Sequence, residues 1–136
     1  KKAKFISMYQ EYINIEDAQD VCSNIYEKEL FPFDVLILGM GNDGHTASLF
    51  PNNIKLKEAL ETTKGFCICM KPDTAPYERM SLTKTAILSA TNIYLHFEGV
   101  EKQDVYKKVL EGASSNDMPV SAILNQDKKK IEVYYK

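Results

Sequence analysis

The sequence predicts an α/β fold, a Rossmann-like parallel sheet with helices on both faces. Helical and extended patterns alternate along the chain, which is typical of this class. Residues 34–38 form a short apolar run stopped by a glycine, as expected of a central parallel strand covered on both faces. Residues 92–98 alternate apolar and polar side chains, which indicates a second strand. Ligands of such sheets bind at the carboxyl ends of the strands.

The elements before and after the first strand follow from local patterns. Asn14 is predicted to cap a helix that ends near residues 30–31, with Asp17 placed for a capping-box contact. A modest helix is predicted over residues 54–63 and is stopped by Gly65. The strand 66–70 follows this glycine.

The second half of the chain continues the alternation. Prolines bracket a rigid loop, residues 71–77, which delivers Arg79 ahead of a helix over residues 84–89. A helix over 104–111 and a strand over 131–135 complete the pattern. We find no internal repeat and predict one α/β domain over residues 1–136.

The loop after the first predicted strand carries the residues best suited to chemistry. Its glycines, Gly39, Gly41 and Gly44, permit positive φ values and close approach of a ligand. Asp43 and His45 lie among them. A carboxylate can orient an imidazole, and an imidazole can transfer a proton near neutral pH. The pattern therefore predicts catalysis at this loop.

The same loop also satisfies the dinucleotide fingerprint G-x-G-x-x-G over residues 39–44. Pro51 interrupts the long helix that such a unit requires. The acidic residue expected after the next strand has only Asp73 as a candidate, in a proline-bounded loop. These departures argue against a nucleotide-binding function.

The residues G-M-G-N-D-G-H-T-A-S-L-F-P, at positions 39–51, resemble the signature of the 6-phosphogluconolactonases, relatives of the glucosamine-6-phosphate deaminases. Three later segments resemble the same family: residues 78–83, the glycine-to-lysine turn at 99–102, and the proline-led segment at 117–124. The resemblance extends from about residue 34 to the end of the sequence.

Members of that family carry a preceding half with a Gly/Ser/Thr-rich phosphate loop and an acidic-arginine segment. Nothing in this sequence resembles either segment. We therefore expect the sequence to be the rear part of the family's fold, incomplete because the N-terminal part is absent. Activity of these residues alone is correspondingly doubtful.

The resemblance implies hydrolysis of 6-phospho-D-glucono-1,5-lactone to 6-phosphogluconate in the oxidative pentose phosphate pathway. It implies that His45 activates water and returns the proton to the leaving ring oxygen, with Asp43 as its orienting partner. Arg79 and Lys102 are the implied basic contacts to the phosphate. Further substrate contacts, including backbone donors for an oxyanion, are expected from the loop residues Gly39, Gly41, Asn42 and Gly44. No metal or organic cofactor is required by this chemistry.

Two other functions stay open at this point. Glucosamine-6-phosphate deaminases resemble the sequence through G-x-G-x-D-G-H, but they carry a glutamate just before the closing proline, where this chain has Phe50. This departure favours lactone hydrolysis, because each proton transfer needs a positioned group. The remaining alternative is a catalytically silent module that binds sugar phosphate.

Each candidate residue also has a simpler structural interpretation. His45 can be a loop histidine bonded to backbone, and Asp43 can cap a following short helix. Arg79 and Lys102, taken in isolation, are typical solvated charges. His96, within the predicted strand 92–98, is interpreted as structural and not catalytic.

Composition limits the remaining classes. The chain has 136 residues, 44% of them hydrophobic, and a net charge of −2. This charge gives no general attraction to nucleic acid, and no apolar stretch approaches the ~20 residues of a membrane span. We predict a small phosphorylated sugar lactone as the partner and leave fusion or association with another pentose phosphate enzyme open.

The sequence has three cysteines and no C-x-x-C pair, which favours reduced packing residues over a disulfide or a zinc site. Reduced thiols are typical of the cytoplasm, which is the location we predict.

Overall fold

The computed structural model describes residues 2–9, 11, 14–72 and 76–136, and it confirms the predicted α/β class. The helices and strands alternate through most of the chain. In order they are α1 (Ile15–Glu29), β1 (Val35–Leu38), α2 (Leu56–Glu61), β2 (Cys67–Met70), β3 (Arg79–Leu82), α3 (Lys84–Ser89), β4 (Asn92–Phe97), α4 (Val100–Leu110), α5 (Ser121–Leu124) and β5 (Ile131–Tyr135). None of the helices in the described part of the chain has the length and apolar character needed to cross a bilayer.

Three strands form the parallel sheet that positions the candidate site. Their order is β1-β4-β5, and Leu38 of β1 pairs with Leu95 of β4, which in turn pairs with Val133 of β5. Because the strands are parallel, their carboxyl ends meet at one edge of the sheet. The loop after β1 and the last residues of β4 therefore lie side by side.

The strand β2 departs from the expected parallel sheet. It pairs antiparallel with β3 in a separate two-stranded sheet, in which Met70 lies opposite Arg79. The predicted loop 71–77 lies partly outside the described residues, and the strand that Arg79 begins after it was not predicted. Ser81 and Leu82 of β3 are buried, so this strand is held by packing that its own short sequence does not reveal. Asp73, the candidate acidic residue of the nucleotide alternative, lies outside the described residues.

Helix α1 begins and ends where its sequence predicts. Asn14 Oδ1 accepts a hydrogen bond from the backbone N–H of Asp17 at 2.7 Å, which confirms the cap. On the buried side of the helix, Cys22 Sγ lies 2.6 Å from Cys67 Sγ of β2. This hydrogen bond, together with burial, raises the pKa of the Cys67 thiol. The thiol contact thus joins α1 to the two-stranded sheet.

The two faces of the three-stranded sheet are unlike. Leu38, Ile93 and Leu95 point into the core, where each is 5% exposed or less. On the opposite face, Val35 is 53% exposed and Ile37 is 70% exposed. The prediction that β1 is covered on both faces is therefore wrong for these two residues. Successive side chains of a strand point to opposite faces, and the described residues bury only one of them.

Candidate active site

The loop that follows β1 is closed by bonds within itself. The hydroxyl of Thr46, a fully buried residue, donates to the backbone carbonyl of Gly39 at 2.8 Å. The Gly41 N–H donates to the His45 carbonyl at 2.9 Å, and the Leu49 N–H donates to the Thr46 carbonyl at 2.9 Å. The segment forms turns and not the short helix considered from sequence. Asp43 consequently has no helix to cap, and it bonds to His45 instead.

Asp43 holds His45 at two points. Its Oδ1 atom lies 2.6 Å from the imidazole Nδ1 and also accepts the backbone N–H of His45 at 3.1 Å. These contacts assign the ring proton to Nδ1 and leave Nε2 with its lone pair. Side-chain exposures of 32% for His45 and 46% for Asp43 keep the pair accessible to solvent. The arrangement suits a base that takes a proton from water.

Gly41 is required by the space around this pair. A Cβ atom at position 41 would lie 2.3 Å from both Nδ1 and Cε1 of His45 and 2.7 Å from Oδ1 of Asp43. Any other residue would therefore displace the imidazole, the carboxylate or both. Gly41 acts by letting the backbone approach the ring, and its φ is not in the left-handed region.

The loop amides are less available than the sequence predicts. The N–H of Gly41 is taken by the His45 carbonyl, and the N–H of Gly44 donates to the Gly41 carbonyl at 3.0 Å. Asn42 donates its side-chain N–H to Glu101 Oε2 at 2.6 Å. The geometry thus gives Gly41, Gly44 and Asn42 structural partners and does not support an oxyanion role for the amides of Gly41 and Gly44.

Helix α4 brings a lysine to the same edge of the sheet. It begins at Val100, four residues before the helix predicted from sequence, because Gly99 adopts a φ of 101° and turns the chain directly out of β4. Lys102 therefore lies in the first turn of α4. The bond from Asn42 to Glu101 fixes this turn against the loop after β1.

An open cavity of about 370 Å³ lies between these elements. It brings together His45, Lys102 and a residue that the sequence analysis set aside, His96. Ala47, which has a left-handed φ of 50°, lies in the same wall. The described lining residues are Gly39, Met40, Gly41, His45, Ala47, His96 and Lys102.

His96 is the functional candidate that sequence reasoning missed. The strand pattern predicts a structural residue here, yet the His96 side chain is 56% exposed and lines the cavity. Its position at the carboxyl end of a strand that neighbours β1 was the available signal, because ligands collect at that edge. The strand pattern already placed it opposite the buried residues Ile93 and Leu95.

Arg79 is not brought to this cavity in the described residues. Its Nη1 atom donates to the backbone carbonyls of Tyr77 at 3.0 Å and Glu78 at 3.3 Å. Arg79 is connected to the loop after β1 only through its own strand, in which the Ser81 hydroxyl accepts a hydrogen bond from the backbone N–H of Ser48 at 3.1 Å. A phosphate contact by Arg79 therefore stays a prediction.

Phe50 lies beside the imidazole. The two ring centroids are 4.8 Å apart with an interplanar angle of 34°. An apolar ring thus occupies one side of His45, and the Asp43 carboxylate occupies Nδ1. Within the described residues, no group of three or more histidine, cysteine, aspartate or glutamate side chains could hold a metal ion.

Comparison with known proteins identifies similar sequences and folds. The sequence model of the glucosamine-6-phosphate isomerases/6-phosphogluconolactonase matches residues 1–133. A 6-phosphogluconolactonase of Rhizobium meliloti is 33% identical over 135 residues, which cover 98% of this chain and 58% of that protein. One of Helicobacter pylori is 35% identical over 134 residues, which cover 98% and 57%.

The crystal structure of a 6-phosphogluconolactonase from Shewanella baltica superposes with a TM-score of 0.92 at 41% identity. The match covers 98% of this chain and 57% of that structure. The chain thus spans somewhat more than half the length of these relatives.

Proposed function

Because the chain belongs to the glucosamine-6-phosphate isomerase/6-phosphogluconolactonase family, we propose that the protein hydrolyses 6-phospho-D-glucono-1,5-lactone to 6-phosphogluconate in the oxidative pentose phosphate pathway. The observation that carries the proposal is the His45 imidazole, bonded to Asp43 at Nδ1 and lining a cavity with Lys102. Relatives named 6-phosphogluconolactonase support the choice of substrate.

In this reaction His45 Nε2 takes a proton from water as the water oxygen attacks the lactone carbonyl carbon. The tetrahedral intermediate then collapses, the bond from the carbonyl carbon to the ring oxygen breaks, and the imidazolium returns its proton to that oxygen. One imidazole serves both transfers because the proton that it takes from water in the first step is the proton that it returns in the second. Asp43 keeps Nε2 in the basic form and stabilises the imidazolium.

Lys102 provides the positive charge in the proposed site. An ammonium group is a compact charge suited to a phosphate or to a developing oxyanion. It enters the same cavity as His45, so an anchored substrate lies within reach of the base. Anchoring converts the attack on a tethered carbonyl into an oriented, effectively unimolecular event.

Phe50 favours lactone hydrolysis over deamination. An isomerase-deaminase reaction needs a further proton shuttle, and the phenyl ring that packs on His45 supplies no ionisable group. Ester hydrolysis by one base and one water has no such need. The contact therefore supports the lactonase and not the deaminase.

The three cysteines indicate the cellular compartment of the protein. All are buried free thiols, and thiols persist in reducing compartments. This supports the cytoplasm as the site of the proposed reaction.

The test is lactone turnover. The lactone is generated in a coupled assay, and its disappearance is compared with spontaneous hydrolysis for the wild type, His45→Asn and a surface control, Glu29→Gln. The His45→Asn variant should lose about 10²–10⁴ in kcat with little change in KM, because general base catalysis contributes that much. The Glu29→Gln variant should match the wild type.

Two outcomes would contradict the proposal. The first is lactone disappearance that the wild-type protein does not accelerate. The second is release of ammonia from glucosamine-6-phosphate, which would favour the deaminase function instead.

A further inference from the structure

We propose that His96 is an additional anchor for the phosphate of the substrate, acting together with Lys102 in the cavity that the catalytic loop also lines. This inference rests on the proposed function for the identity of the phosphate-bearing ligand. Its physical basis is the meeting of a strand end, a helix start and a glycine loop around one cavity.

The register of the sheet places His96 beside the loop. Leu38 pairs with Leu95 across the parallel strands, so the next residues, Gly39 and His96, are neighbours. Gly39 has no heavy atom within 4 Å of its would-be Cβ, so the space above this end of β1 is open. A ligand group can therefore approach the His96 ring from the loop side.

The His96 ring is not fully occupied by its nearest charged neighbour. Its Nε2 atom lies 3.7 Å from Glu98 Oε1, which is beyond the length of an ordinary N–H···O hydrogen bond. The exposures of the two side chains, 56% and 69%, leave both surrounded by water. Such a loose pair can be exchanged for a contact with a ligand at small cost.

The charge of the cavity favours an anion. Its described lining contains the Lys102 ammonium and two imidazoles, and the carboxylates of Asp43 and Glu98 lie beside those rings as their partners. The protein as a whole carries a net charge of −2, so the positive charge of Lys102 in this wall is a local one. A phosphomonoester dianion fits such a wall because nitrogen donors bond strongly to charged oxygens.

The division of labour between the two histidines follows from their partners. Nδ1 of His45 is held by a carboxylate at 2.6 Å, which suits a base. Among the described residues, the charged partner of the His96 ring is the more distant Glu98, at 3.7 Å, which suits a donor that adapts to a ligand. Arg79 does not compete for this role in the described geometry, since its guanidinium bonds to backbone carbonyls.

Nuclear magnetic resonance of the imidazole rings tests the anchor without requiring turnover. The chain contains two histidines, so their ring signals are assigned by His45→Asn and His96→Asn variants. Titration with inorganic phosphate, and separately with 6-phosphogluconate, should shift the His96 signals. Gluconate, which has no phosphate, should leave them in place. His96 signals that stay unmoved at saturating 6-phosphogluconate would overturn the proposal.

Kinetics supply the second readout. A His96→Leu variant should raise KM about tenfold with kcat nearly unchanged, as expected for loss of one hydrogen bond to a charged group. A His96→Gln variant, which keeps an N–H donor, should recover part of the loss. The matched control is Glu98→Gln, which removes the neighbouring charge but keeps the ring, and its KM should not rise.

A His96→Leu variant with wild-type KM, or with reduced kcat at unchanged KM, would overturn the anchor role. Failure of the proposed function is a distinct result: no lactone turnover by the wild type, whatever the phosphate titration shows. In that case, whether inorganic phosphate shifts the ring signals of His96 decides if His96 is an anchor.

Discussion

Two carboxylate–histidine pairs border the same cavity, one in the loop after β1 and one at the end of β4, and they are built differently. Asp43 and His45 are 2.6 Å apart in a loop braced by its own hydrogen bonds. His96 and Glu98 are 3.7 Å apart and largely exposed. A position at the edge of the sheet is therefore enough to give a histidine access to the cavity. Hydrogen bonds within the loop are needed to fix the orientation of the His45 ring, as the proposed proton transfer requires.

Among loop variants that keep the imidazole, the largest change is expected from Gly41→Ala. The added methyl would lie 2.3 Å from the His45 ring and 2.7 Å from the Asp43 carboxylate, so the tight pair would be forced apart. Misplacement of a reacting group by about 1 Å lowers kcat by roughly 10².

The control for this variant is Gly112→Ala, made at a glycine with open space around it. Its φ of 99° makes alanine unfavourable for stability, but kcat per folded molecule should stay at the wild-type value. If Gly41→Ala and the wild type had equal kcat, the close packing of Gly41 against His45 and Asp43 would have no effect on turnover.

A smaller loss is expected from Asp43→Asn, which keeps the shape of the side chain and removes its charge. The amide can donate to Nδ1 and so favour the wrong tautomer of His45. We expect kcat to fall about 10- to 100-fold, less than for loss of the imidazole itself.

The nitrogen chemical shifts of the His45 ring provide a readout that a merely structural change would not move. They should report a proton transferred from Nδ1 to Nε2 in Asp43→Asn. An unchanged tautomer together with unchanged kcat would show that the short contact has no orienting role.

The smallest effect concerns Lys4 and Glu29, whose 2.6 Å separation equals that of Asp43 and His45 although both lie on the surface. The hydrogen bond from Lys4, and its charge, lower the pKa of Glu29. A carboxyl whose pKa is lower in the folded state adds stability at pH values above its pKa in the unfolded state. This contribution disappears as the pH falls through its pKa in the folded state. Wild type should therefore unfold at a slightly higher temperature than Glu29→Gln at pH 7.

The same two proteins should unfold at the same temperature at pH values below the lowered pKa of Glu29. Thermal melts followed by circular dichroism at a series of pH values check this. A difference that persists in acid would assign the effect to packing and not to charge, and kcat should be equal throughout.

Much of the loop geometry could be predicted because it is local in sequence. The glycines, Asp43 and His45 lie within seven residues, and the Asn14 cap of α1 depends on a contact three residues away. In contrast, β3 depends on pairing with β2 and on burial of Ser81 and Leu82, which are tertiary effects. For this reason the location of Arg79 was not predictable.

The position of His96 in the cavity was not predicted for a related reason. A strand pattern shows which side chains face outward, but it does not show which neighbouring strand ends beside them. That information comes from the pairing of Leu38 with Leu95, residues that are far apart in the chain. The exposure of Val35 and Ile37 was equally hidden, since an apolar strand sequence gives no indication of which face is covered.

The hydrogen bond between Asn42 and Glu101 has a consequence for substrate size. Asn42 adjoins Asp43, and Glu101 adjoins Lys102, so this 2.6 Å link joins the segment of the proposed base to that of the ammonium group and limits the span between them. Sugars whose ester carbon lies one methylene nearer to, or farther from, their anionic terminus should fit this span poorly. Length discrimination would then arise from two side chains that touch neither end of the ligand.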